Sequence, residues 1–186
     1  MVGLVNVAED AQAAIGLLNF IKRGILHVDV WASDVNLVNV GIKFGARHTY
    51  TLISGGFSPA GAPHGSVDFG LGIRLPRLGP LVLDMDVRTG LVFGAGGWKT
   101  PSFHHQLRAV LNLRLAKHFG LFMGPTLHVN VGPSGRQPVS GGADRGGSMW
   151  QLRDNRSGIS VLPTWTGDLE AVRVQLWPGG VLGISF

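Results

Sequence analysis

Seven of the charged side chains in the middle third of the chain alternate with apolar residues: Asp68, Arg74, Asp84, Asp86, Arg88, Arg108 and Arg114. Carboxylates and guanidinium groups placed this way have three chemical uses. They can form a charged constriction in a pore, an acid pair for catalysis, or a cross-paired ionic network that fills an interior. The last is the expectation, because unpaired charges in a narrow interior are costly. Ser102, His104, His128 and Asp86 hold the residue types of a hydrolase at a barrel rim, but no catalytic motif joins them, and no enzyme is expected. His104 and His105 are adjacent on an extended stretch and point apart, so they do not converge on a metal ion. The glycine runs at 90–97 and 141–147 lack the Lys and Ser or Thr of a phosphate loop. No cofactor and no metal are expected.

The elements that position these charges are legible as a period of two. Leu81, Leu83, Met85, Val87, Leu91 and Phe93 share one face, with Asp84, Asp86, Arg88 and Gly90 on the other. Leu107, Ala109, Leu111, Leu113 and Leu115 oppose Gln106, Arg108, Asn112 and Arg114. Leu121, Met123, Leu127, Val129 and Val131 oppose Gly120, Gly124, Thr126, His128 and Asn130. Val67, Phe69, Leu71, Ile73 and Leu75 oppose Asp68, Gly70, Gly72 and Arg74. The apolar faces run for about ten residues or more, twice the usual length of a soluble strand. The polar faces mix glycine with charges of both signs, which suits a narrow lumen. Eight strands are predicted near 24–32, 36–44, 47–56, 66–75, 79–93, 106–116, 119–131 and 178–186, and two more from residues 1–8 and 15–22 would make ten.

Composition fits this class and excludes others. Of 186 residues, 45% are hydrophobic and 15% charged, the reverse of a disordered chain. There is no cysteine, hence no disulfide, thiolate zinc site or cysteine nucleophile. Every hydrophobic run is interrupted before the roughly 18 to 20 residues of a spanning helix. The N-terminal residues lack the basic segment and apolar core of a signal peptide. Sixteen Lys and Arg against eleven Asp and Glu give a net charge of +5, but the basic residues are scattered, and no nucleic acid partner is expected.

Tight links at 45–46, 77–78 and 117–118 alternate with longer ones at 58–66, 94–105 and 131–177, the pattern of short periplasmic turns and long outer loops. The final strand, Gly180 to Phe186, places Leu182, Ile184 and Phe186 on one face, and resembles the terminal strand by which bacterial outer-membrane barrels are recognised by the assembly machinery. Residues 170–186 read equally as one strand bent at Pro178-Gly179-Gly180 or as a hairpin. Gly3-Leu4-Val5-Asn6-Val7 recurs as Gly16-Leu17-Leu18-Asn19-Phe20 and weakly as Asn36-Leu37-Val38-Asn39-Val40. With Asp29 to Asp34, Arg47 to Thr51 and Trp177-Pro178-Gly179, this resembles a family of bacterial outer-membrane barrel proteins with short Gly-Leu-Val-Asn surface repeats. The resemblance covers residues 1 to 55 and the Trp177 ending, and implies a barrel fold and a surface role, without catalytic residues.

The expected architecture is therefore all-β: one closed antiparallel transmembrane barrel of 8–10 strands over residues 1–186. Residues 1–23 form a repeat hairpin or a helix, the latter because Glu9, Asp10, Lys22 and Arg23 lie at suitable ends of a helical stripe. Residues 132–177 form a long external loop. Leu81, Leu83, Met85, Leu107, Leu111, Leu113, Leu121, Ile184 and Phe186 face lipid, and Tyr50, Phe57, Trp98, Phe103 and Trp177 form an aromatic girdle. Arg136, Arg145, Arg153 and Arg156 in the long loop are candidate contacts for lipopolysaccharide phosphates. The expected location is a bacterial outer membrane, with membrane lipid as the immediate partner. Two further readings stand beside this one: a narrow porin-like channel for small solutes or ions, and a soluble β-barrel holding an apolar ligand, with Ile73, Leu81, Leu83, Leu111 and Leu113 turned inward.

Overall fold

The computed structural model describes residues 3, 5–12, 18–22, 24–59, 63–93, 102–116, 119–133, 165–169 and 172–186. Their strands are β1 (Val5–Ala8), β2 (Leu18–Ile21), β3 (Ile25–Ser33), β4 (Val38–Gly45), β5 (Thr49–Ser58), β6 (His64–Arg74), β7 (Leu81–Phe93), β8 (Ser102–Ala116), β9 (Phe119–Pro133), β10 (Trp165–Leu169) and β11 (Val172–Ser185). From β3 to β9 each strand pairs antiparallel with the next. β11 then pairs with β9 on one edge and β3 on the other, which closes an eight-stranded antiparallel barrel.

The alternation in sequence becomes an alternation of burial. On β7, Val82, Asp84, Asp86, Arg88 and Val92 are buried, while Met85 and Val87 are exposed. On β8, Arg108 is 0% exposed and its neighbour Leu107 47%. The buried face is the polar one. Among the described side chains of the eight barrel strands, none on the outward face is Asp, Glu, Lys or Arg. A barrel with Ile73, Leu81, Leu83, Leu111 and Leu113 inside is the opposite of what is found, since all five lie on the outer face.

Connections at one end of the barrel span residues 46–48, 75–80 and 117–118; those at the other span 34–37, 59–63, 94–101 and the segment after Pro133. Both chain ends of the barrel, Ile25 and Ser185, lie at the first end. The 132–177 segment is not all loop: β9 continues to Pro133, β10 occupies 165–169, and β11 starts at Val172. One continuous strand, and no hairpin, therefore carries Pro178-Gly179-Gly180, paired to β9 from Val172 to Ser185. On its other edge, among the described residues, β10 meets residues 172–176 and β3 meets 181–185.

The N-terminal segment is neither the hairpin nor the helix expected. β1 and β2 pair in parallel, Val5 opposite Leu18 and Asn6 opposite Asn19, so the thirteen-residue repeat meets itself in register. The pair lies beside the β4–β5 turn. Ile21 and Ala46 pack with Ala8 and Ala11, the Arg47 and His48 amides donate to the carbonyls of Ala11 and Gln12, and Arg47 pairs with Asp10 at 2.6 Å. The helical caps lost because the Leu18–Ile21 backbone finds a ladder partner in β1 and a packing surface in Ile21 and Ala46.

Candidate functional site

The inner face of the barrel is a stack of polar layers, each built by the register of adjacent strands. Nearest the short-turn end, Arg74 and Asp84 stand opposite each other on β6 and β7, and the guanidinium donates twice to the carboxylate, at 2.8 Å from both Nε and Nη2. Lys43 on β4 reaches the same carboxylate at 3.1 Å and Asp29 on β3 at 2.9 Å. Lys43 is 1% exposed and lies over the rings of Tyr50 and Phe122, at 5.1 and 5.6 Å from their centroids, so the ammonium is held by carboxylates and aromatic faces together.

In the next layer Arg108 faces Asp86 across β7 and β8 and donates from Nε (3.0 Å to Oδ1) and Nη2 (2.9 Å to Oδ2), while the Tyr50 hydroxyl adds a third donor at 2.8 Å. Trp31 lies between two guanidinium groups, its ring 5.0 Å from Arg88 and 5.2 Å from Arg108, and packs with Val110, Phe122 and Val181. Arg88 donates to Gln106 at 2.9 Å and to Ser54, and pairs with Asp68 at 3.4 Å. Glycines leave the volume these side chains fill: a Cβ on Gly72 would lie 2.3 Å from the Tyr50 ring, and one on Gly179 2.5 Å from the Asp34 carboxylate.

Toward the long-loop end the layers become histidine chemistry. His104 Nε2 and His128 Nδ1 are 2.9 Å apart with one proton between them, and the rings stack at 5.2 Å. His104 Nδ1 lies 3.7 Å from Asp68, which also accepts from Ser66. His128 Nε2 lies 2.9 Å from Asp34 and 2.6 Å from Thr126 Oγ1, and its ring stacks on Trp177 at 5.1 Å. Trp177 Nε1 donates to Asp34 at 2.7 Å, and so ties the β3–β4 link into the lumen. Asn36 and Asn39 continue this network to Ser33, Ser66 and the Trp31 carbonyl.

Six of the seven predicted lumen charges, Asp68, Arg74, Asp84, Asp86, Arg88 and Arg108, thus converge in ion pairs. Arg114, at the end of β8, lines the barrel mouth with Arg74 and Arg77. The rim set Ser102, His104, His128 and Asp86 is also not assembled. Asp86 is engaged by Arg108 and Tyr50, the carboxylates beside the histidines are Asp68 and Asp34, and Ser102 Oγ makes no hydrogen bond among the described residues. Tyr50 and Trp177, expected in a girdle, point inward at 1% and 5% exposure, because their parity is that of the polar face. Phe57 and Phe103 do face outward, whereas Trp98 lies outside the described residues, as do Arg136, Arg145, Arg153 and Arg156. Leu81, Leu83, Met85, Leu107, Leu111, Leu113, Leu121, Ile184 and Phe186 are all on the outer face.

Sequence reasoning missed Asp29, Asp34, Lys43 and the inward role of Trp31. The signal existed for three of them: Asp29 and Trp31 alternate with Val28 and Val30, and Lys43 alternates with Ile42 and Phe44. Asp34 lies in a link and had no such signal. Comparison with protein-family models, curated proteins and solved structures finds no match. Fold and site together define a closed eight-stranded antiparallel barrel with an ionic, side-chain-filled interior and an apolar exterior.

Proposed function

We propose that the chain is a transmembrane β-barrel of a bacterial outer membrane, with a structural or surface-binding role and a lumen that does not conduct freely. The observation that carries this reading is the sidedness: Arg, Asp and Lys with His104 and His128 inside, and an outer face mostly of Leu, Val, Ile, Met and Phe, with His105 and Thr89 among its few polar side chains and no Asp, Glu, Lys or Arg among those described. In water such a surface is a liability, because extended exposed apolar patches drive association. In hydrocarbon it is the stable arrangement, since the closed ladder leaves no main-chain edge unpaired around most of the wall. The eleven residues of β6, at about 3.3 Å each and a tilt of about 40°, span about 28 Å, close to the thickness of a bilayer core. Phe57, Phe93 and Phe103 at the long-loop end and Phe44, Phe119 and Phe186 at the other supply aromatic groups at both boundaries. In this reading the short links are periplasmic, the strand ending in Phe186 engages the barrel-assembly machinery, and the arginines of the long loop are the place to look for lipopolysaccharide contacts.

The filled middle layers weigh against the channel alternative. Arg108, Asp84 and Asp86 are at most 2% exposed, Arg108 paired with Asp86 and Asp84 with Arg74 and Lys43, so an ion on the axis would have to displace paired charges. The absence of native cysteine makes the sidedness directly testable. Single cysteines at Leu71, Leu111 and Thr126 would carry an environment-sensitive fluorophore in protein folded into vesicles. Brominated acyl chains should quench the label at 71 and 111, and leave that at 126 untouched. Protein that stays monomeric without detergent, with sites 71 and 111 open to aqueous iodide, would overturn the membrane reading.

A further inference from the structure

At the long-loop end of the lumen four ionisable groups lie in a row: Asp34, His128, His104 and Asp68. They come from the β3–β4 link, β9, β8 and β6, and all four are buried. The row is spaced at 2.9 Å from Asp34 Oδ1 to His128 Nε2, 2.9 Å from His128 Nδ1 to His104 Nε2, and 3.7 Å from His104 Nδ1 to Asp68 Oδ1. A row does not converge on a point, and among the described residues no three His, Asp or Glu side chains are grouped to hold a metal ion. What the row can hold is protons.

Each of its three contacts needs one hydrogen, because a carboxylate brings none. Two neutral imidazoles bring two. With the contact between the rings bonded, a bare ring nitrogen therefore faces either Asp34 or Asp68, lone pair against lone pair. Both ends of the row show the shortage: the gap between His104 and Asp68 is too long for a hydrogen bond, and Asp34 Oδ1, though buried, has no hydrogen bond among the described residues. The surroundings are polar and charged as well. Thr126 Oγ1 at 2.6 Å and Gln106 Nε2 at 3.5 Å also approach His128 Nε2, and Arg88 lies 3.4 Å from Asp68. Trp177 stacks on His128 and donates at 2.7 Å to the second oxygen of Asp34, while His64 lies 2.7 Å from the Val35 carbonyl in the same link. No Lys or Arg pairs with Asp34 among the described residues, so its one ionic partner is His128.

We propose that this row is a proton-binding site that fastens the β3–β4 link. On acidification it takes one proton from solvent, passes from two ring N–H groups to three, and becomes one imidazolium shared between two carboxylates. All three contacts are then hydrogen-bonded, the gap to Asp68 closes, and Asp34 is gripped by His128 on one oxygen and by the indole on the other. Asp34 is the first residue of the link, so filling the row tightens residues 34–37 and emptying it releases them. The two rings titrate as one unit, because the hydrogen between them belongs to both. None of this depends on whether the outer face meets lipid.

The test is a pH titration of the full chain, isotopically labelled at its histidine ring nitrogens, in whatever medium keeps it folded, from about pH 8.5 to about pH 4.5, the span in which histidine charges. Nitrogen shifts report which ring atoms bear hydrogen, and His104→Gln and His128→Gln assign the two rings. Both rings should move together in a one-proton step. Asp34→Asn and Asp68→Asn each remove an anion beside the pair and bring an N–H of their own for the bare nitrogen, so each should move the step about one unit to lower pH, a hold on the proton about tenfold weaker. A nitroxide on Leu37→Cys, a unique site because the chain has no cysteine, should gain mobility as pH rises through the same midpoint and lose that response with His128→Gln. Folding is checked by the heat-dependent shift in gel migration; if a Gln variant does not fold, the parent and the Asn variants, which keep both rings, still decide. Separate steps for the two rings, a midpoint that the Asn variants leave in place, or a label whose mobility ignores the step would each overturn the proposal.

Discussion

Arg108→Met should be among the most damaging single changes in this barrel. Arg108 and Asp86 are both buried, joined by two parallel hydrogen bonds at 3.0 and 2.9 Å, and Asp86 has one other donor, the Tyr50 hydroxyl. Removing the guanidinium leaves a buried carboxylate with a single neutral side-chain donor, a loss of about 3–5 kcal/mol when one partner of a buried pair is deleted. Tyr50→Phe removes one hydrogen bond to a charged acceptor and should lose about 1.5–3 kcal/mol. The double change Asp86→Leu with Arg108→Met removes both charges and restores volume, so it should lose less than Arg108→Met alone. The assay is reversible urea unfolding in detergent micelles or vesicles, followed by tryptophan fluorescence and by the gel shift on heating, with free energies extrapolated linearly. The coupling between positions 86 and 108 is then read from the double-mutant cycle. An Arg108→Met protein within about 0.5 kcal/mol of the parent, or a double variant as unstable as the sum of the two singles, would refute the idea that a paired lumen holds this barrel together.

Three more outcomes follow from the same geometry. Leu107→Arg, on the outer face, should lower stability in a bilayer by about 2–4 kcal/mol; a change under about 0.5 kcal/mol, the usual size for a water-exposed surface site, would show that Leu107 does not face hydrocarbon. Gly72→Val places new carbon within 2.3 Å of the Tyr50 ring, and should lose about 1–3 kcal/mol through overpacking in the urea assay, with Gly55→Val on the outer face of β5, whose Cβ would meet only the Ser66 carbonyl at 3.5 Å, as the control. Trp177→Phe keeps an aromatic ring against His128 but deletes the donor to Asp34, so amide exchange at residues 34–37 should accelerate while exchange in β7 and β8 stays as in the parent; equal rates in 34–37 would mean that the indole does not anchor that link.

The barrel strands were legible because lipid-like and lumen-like residues alternate with few errors, and a period of two survives whatever the register. Leu81 to Phe93 gives its inner residues directly. Register is not contained in that period. Nothing in the sequence says that Asp86 meets Arg108 while Asp84 meets Arg74 and Lys43; strand pairing decides it. The first two barrel strands carried the same alternation, but Asp29 and Lys43 are isolated charges among Val, Gly and Asn and stand out less than the Asp84, Asp86, Arg88 series. Arg114 has the parity of the inner face and lies at the barrel mouth beside Arg74 and Arg77, because height along the axis matters as much as side. The Pro-Gly-Gly sequence of β11, a strong turn signal in any local reading, left one bent strand and a hairpin equally open; continuous pairing with β9 from Val172 to Ser185 decides for one strand, a tertiary fact. The N-terminal helix signals were local as well, and the repeat that competed with them pairs in parallel, an arrangement that thirteen-residue spacing does not distinguish from a hairpin.

The junction of β3 with β11 has a mechanical consequence. It joins the first and last strands of the barrel through residues 29–33 against 181–185, while β9 lies along the whole of β11. A cylinder whose wall is laced this unevenly has a predetermined tear line. Unfolding of the barrel by pulling on the termini should begin there, peeling β3 away before any other pair of the eight barrel strands separates, and assembly should run the same way in reverse, with a curled open sheet from β3 to β11 as its last intermediate.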